Sequence, residues 1–134
     1  MNTLKFFAMI LLAISLITTA CMNTDEAKNL DATISITSPT PGQVFEKGDT
    51  ILIKANIEAP QELHGWQVII RKAADNSVVY ENDRHEHGEA LFINEKWINN
   101  VTQHADMILE VTAALSHSGD DLKTETVKFH CHPN

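Results

Sequence analysis

The strongest constraint on the fold is a two-residue alternation of apolar and polar side chains that recurs from residue 31 onward, each run closed by a turn signal. Ile34 and Ile36 alternate with Thr33, Ser35 and Thr37, and the Ser-Pro-Thr-Pro-Gly sequence at 38–42 then breaks the run. Lys47-Gly48-Asp49 makes a turn. Ile51, Ile53, Ala55 and Ile57 form the next alternating segment, which Ala59-Pro60 is expected to end. Trp66, Val68 and Ile70 alternate with Gln67, Ile69 and Arg71, which aims Trp66 at a core. A turn at 74–77 leads to Val78, Val79 and Tyr80, and further strands are expected at 89–94, 107–115 and 122–131. Residues 95–105 read as a polar connection with room for a helical turn. Side chains on this period stand on opposite faces of a strand, so the chain must build sheets that bury one face each.

About seven short strands in about a hundred residues, with turn signals every 8–12, are the pattern of an all-β, antiparallel β-sandwich. The whole chain has 134 residues, enough for one such domain and not two. Residues 34–55, Ile-Ser-Ile-Thr-Ser-Pro-Thr-Pro-Gly-Gln-Val-Phe-Glu-Lys-Gly-Asp-Thr-Ile-Leu-Ile-Lys-Ala, resemble the first strands of the bacterial immunoglobulin-like domains found in surface and periplasmic lipoproteins. The resemblance covers the mature chain in outline. It implies an immunoglobulin-like architecture and, being a likeness of fold, says little about function.

Residues 1–20 read as a secretory signal peptide: Lys5 supplies a basic start, residues 6–17 an apolar run, and Thr18, Thr19 and Ala20 a cleavage region. The run is shorter than the roughly 20 residues a membrane-spanning helix needs, and polar Asn23, Thr24, Asp25 and Glu26 follow at once. Ile17-Thr18-Thr19-Ala20-Cys21 resembles the lipobox of bacterial lipoproteins, with Thr18 where that family prefers an aliphatic residue. The resemblance implies lipidation of Cys21 by palmitate-type chains, attachment to a membrane of the cell envelope, and, with Met22 next to the anchor, the outer membrane, facing the periplasm or the cell surface. Residues 21–30 are then the lipidated cysteine and its tether, and 31–134 the sandwich. Once Cys21 carries lipid, Cys131, the other of the two cysteines, has no partner for an intramolecular disulfide.

Charge removes one class of partner. The chain carries 10 basic and 18 acidic residues, a net charge of −8, and the leader holds only Lys5 of these. Such a protein cannot neutralise a phosphate backbone, so nucleic acid is excluded as a partner.

Histidine is the unusual entry: seven in the chain, all between residues 64 and 132. Strand direction sorts them. In an antiparallel sandwich the strand after His64 runs away from one end and the strand at 78–80 returns to it, bringing His85 and His87. The long strand 107–115 also returns there, followed by His117. His104, His130 and His132 fall at the other end. Neutral imidazole is the commonest protein ligand of zinc and copper, and a His-x-His pair on extended backbone turns both rings to one side. His64, His85, His87 and His117 are therefore the candidate ligands of a copper or zinc ion, with Asp83 and Glu86 as neighbouring carboxylates. His130, Cys131 and His132 are a second candidate set if the terminus turns away from the sheet; alternation otherwise buries Cys131 and exposes both histidines.

These features point to a lipid-anchored extracytoplasmic metal-binding module. The alternative is an adhesion or protein-interaction domain of immunoglobulin type that takes no metal. Catalysis is not expected, because no Ser/His/Asp or paired-carboxylate constellation can be assembled. Copper-zinc superoxide dismutases also place His-x-His on a β-sandwich, but their glycine-rich surroundings and disulfide are missing here.

Overall fold

The computed structural model describes residues 30–134. The expected signal peptide at 1–20, the expected lipidation site Cys21 and all of the expected tether but Leu30 lie outside them. The described residues are all-β, without a helix, and form two sheets. The strands are β1 (Thr33–Ser38), β2 (Val44–Phe45), β3 (Thr50–Leu63), β4 (Gly65–Lys72), β5 (Val78–Arg84), β6 (Gly88–Ile98), β7 (Ala105–Ala114) and β8 (Leu122–Cys131). One sheet has three strands in the order β1-β3-β6, the other five in the order β2-β8-β7-β4-β5.

All pairings are antiparallel except β2 with β8, where Val44 faces His130 and Phe45 faces Cys131 in parallel register. The alternation read from the sequence is the alternation of burial. Ile51, Ile53 and Ile57 of β3 with Leu91 and Ile93 of β6 meet Trp66, Val68 and Ile70 of β4 and Leu109, Val111 and Phe129 of β7 and β8 in one apolar core. Each such side chain removed from water contributes about 1.5–3 kcal/mol before the entropy of ordering the chain is subtracted.

Two expected boundaries move. Strand β3 continues past Pro60 to Leu63, because its register to β6 shifts between Glu58 and Leu63. Residues 59–62 have no ladder partner, so the missing proline N–H breaks no inter-strand bond. Strand β6 likewise continues through residues 95–98, in place of the polar connection expected there. Glu95 and Lys96 conceal the pattern, yet Trp97 keeps the inward phase of Leu91 and Ile93 and pairs with Ile51. Glu95 itself accepts a 3.3 Å hydrogen bond from the Tyr80 hydroxyl of β5, a polar link between the sheets.

Candidate metal centre

Two crossings between the sheets meet at one end of the domain. His64 is the single residue between β3 and β4, so the chain passes from one sheet to the other at this imidazole. Residues 85–87 make the second crossing, from β5 to β6. The pairings Leu63 with Gly88, Trp66 with Arg84 and Gly65 with Ala114 tie the crossings to each other and to the end of β7, beyond which His117 follows. The backbone N–H of His64 donates to the Ala114 carbonyl at 2.9 Å. Gly65 makes the close approach possible: at φ +144°, an added β-carbon would stand 2.5 Å from the Arg84 carbonyl oxygen.

The four imidazoles form a closed circuit. Ring centres are 5.0 Å apart for His64 and His87, 4.7 Å for His87 and His85, 6.4 Å for His85 and His117, and 5.4 Å for His117 and His64. A Zn–N bond of about 2 Å puts a ring centre about 3 Å from the ion, so tetrahedral neighbours stand about 5 Å apart. Three of the four separations are close to that value and the widest joins two exposed rings, but His85 and His117 do not join the group of Glu62, His64 and His87 whose ligand atoms lie within 4.8 Å of one another.

The Nε2 atoms of His85 and His87 are 2.9 Å apart, so one ring donates its proton to the bare nitrogen of the other. His87 Nδ1 lies 3.4 Å from the Glu62 carboxylate, and Glu62, His64 and His87 each present a ligand atom within 4.8 Å of the others. His64 Nδ1 is sealed from solvent and has no hydrogen-bond partner, which is rare for a buried polar atom.

Asp83, paired in register with Gln67, borders the same cleft as His64 and His85. Glu86 accepts a 3.3 Å bond from the Trp66 indole, and the group beside His87 is Glu62, whose position before the first crossing carried no local signal. The Arg84 guanidinium stands over the Trp66 ring, 5.7 Å from its centre.

At the opposite end the chain separates Cys131 from its neighbours. Cys131 is fully buried, and burial pushes its thiol up to about 11, whereas His130 and His132 face outward. The three therefore do not share a face. His130 instead meets Asp106 across the β7–β8 ladder, with Nδ1 2.6 Å from Oδ1.

The chain matches no protein-family model and no curated protein sequence.

Proposed function

We propose that this chain is a lipid-anchored, extracytoplasmic metal-binding module that captures a copper or zinc ion with His64, His85, His87 and His117 at one end of an immunoglobulin-like β-sandwich. The observation that carries the reading is the closed circuit of four imidazoles to which His64 belongs, whose Nδ1 is buried without a partner. Burying a polar nitrogen unsatisfied costs about 1–3 kcal/mol, and coordination to an ion removes that cost. Nitrogen donors of this kind suit tetrahedral Zn(II) and tetragonal Cu(II). Glu62 beside His87 adds negative charge where the cation would sit, and a net charge of −8 favours cation approach.

The immunoglobulin-like reading is supported by the sheet orders β1-β3-β6 and β2-β8-β7-β4-β5. They agree with a fold in which strands C, C′, F and G share a sheet, the places that β4, β5, β7 and β8 take here. The anchor reading rests on Ile17-Thr18-Thr19-Ala20-Cys21 alone. With a di- or triacylated Cys21 the module stays on the membrane of the cell envelope, since two or more chains hold durably where one does not.

The test is calorimetric titration of the purified protein with Zn(II) and Cu(II), beside the double variant His85→Ala, His87→Ala. Loss of the tight equivalent in the variant supports the reading, and unchanged binding sinks it. An ion held by the native state alone also raises the melting temperature, by an amount equivalent to about 2.7 kcal/mol at a hundredfold excess over Kd. An adhesion domain without metal shows neither effect.

A further inference from the structure

The remaining three histidines gather at the other end of the domain, on groups that play no part in the site above. Asp106 and His130 are a register pair of β7 and β8, joined through His130 Nδ1 at 2.6 Å. His132 lies two residues further on and is held extended by its N–H, which donates to the Phe45 carbonyl at 2.8 Å, and by its carbonyl, which accepts from buried Asn99 at 3.0 Å. The two-residue period therefore puts its ring on the same side as that of His130. Its Nδ1 is 3.2 Å from the Glu46 carboxylate. His104, just before β7, completes the group, with its ring centre 4.5 Å from that of His132 and 6.5 Å from that of His130.

Both carboxylates act on Nδ1. An imidazole whose Nδ1–H is held by a carboxylate keeps its lone pair on Nε2 and is more basic there, which is how metal-binding histidines are oriented. Paired surface histidines and carboxylates are common without an ion. Here the His104 ring neighbours both others, and His104, Asp106 and His130 each offer a ligand atom within 4.8 Å of the others, so that Asp106 stands among the donors and His132 borders them. A cleft of about 500 Å³ bordered by Lys72, Asp75, His104 and Asp106 leaves the cluster open to solvent. The ten residues of β8 span roughly 33 Å at the usual rise per residue, too far for the two ends to share an ion.

We propose that His104, Asp106 and His130 form a second, independent site for a divalent ion of the zinc class, with His132, held by Glu46, beside it. Cys131 takes no part, because its sulfur lies in the core. The site does not depend on the four-histidine centre.

The test is the zinc stoichiometry of the full chain in detergent micelles, titrated with Zn(II) alone and read by calorimetry and elemental analysis. The variants are His104→Ala with His130→Gln, His64→Ala with His87→Ala, all four together, and Cys131→Ala. Circular dichroism checks that each is folded, and His130→Gln keeps a donor for Asp106. The wild type is expected to take two equivalents, each pair variant one, the fourfold variant none, and Cys131→Ala two. A single equivalent that survives His104→Ala with His130→Gln and disappears with His64→Ala and His87→Ala overturns the second site and leaves the first standing. A single equivalent with the reverse dependence supports the second site and removes the first. Two equivalents retained by the His104, His130 variant, or one lost with Cys131→Ala, overturn the proposal.

Discussion

Gly65 and the Arg84 carbonyl approach so closely that a β-carbon on Gly65 would lie 2.5 Å from that oxygen and 3.3 Å from the His85 α-carbon. No real β-carbon tolerates the first distance, and the obstacle is backbone, which cannot rotate aside. The contact sets the separation between the His64 corner and the start of the His85–His87 crossing. Gly65→Ala is therefore expected to cost about 2 kcal/mol in stability, from steric displacement and from a backbone angle that side chains rarely adopt. Affinity for Zn(II) at the four-histidine centre falls at least tenfold with it. Gly48→Ala is the control: its φ is +88° with nothing within 4 Å, so it costs about 1 kcal/mol and leaves that affinity unchanged. Urea denaturation and zinc titration of the two variants separate the effects.

Asn99 is the one buried polar residue of the described chain, and it fastens three segments. Its Nδ2 donates to the Phe45 and His132 carbonyls at 3.1 and 3.0 Å, and its Oδ1 accepts from the Val101 N–H at 3.2 Å. Asn99→Ala takes this partner from the His132 carbonyl and the Val101 N–H, while the Phe45 carbonyl keeps the His132 N–H. The expected loss is about 2–3 kcal/mol in chemical denaturation, with faster amide exchange at His132 than at His64.

Tyr80 is the only tyrosine, so tyrosinate absorbance reports on it alone. Burial, then the charge of Glu95 and the hydrogen bond to it, raise its pKa above the ordinary 10.0. A titration followed at 295 nm is expected to give a midpoint above that of the urea-unfolded chain. Glu95→Gln should lower the midpoint only in part, since burial is the larger cause. The sign for stability follows: the folded pKa is raised, so the contribution is complete below pH 10 and is lost as pH rises through the folded value. A midpoint equal in both states would refute the packing of Tyr80 against Glu95.

Cys131 is shut into the core beside the end of β2. In Cys21→Ser protein it is the sole thiol, and aromatic disulfide reagents are expected to modify it at least a thousandfold more slowly in native buffer than in urea. Rapid labelling of the native protein would place the sulfur outside, where a His-Cys-His ligand set needs it.

The sequence by itself determined the all-β class, the inward phase of Ile51, Ile53 and Ile57 and of Trp66, Val68 and Ile70, and the end of the domain to which each histidine belongs. These follow from alternation and turn chemistry, which act over two to four residues, and from antiparallel direction, which propagates along the chain. Trp66, Val68 and Ile70 show their inward phase without any partner. Only the tertiary structure decided which groups meet across distance. Glu62 beside His87, Glu46 beside His132 and Asn99 beneath the His132 carbonyl come from other segments, and nothing in their neighbours' spacing marks them. The same holds for β2, two residues long, whose place is set by parallel pairing to β8, and for the strand through Glu95 and Lys96, whose charges hide an alternation that Trp97 completes. Local pattern settles which way a side chain points; what it touches depends on sheet register and on the crossings between sheets, which are properties of the folded whole.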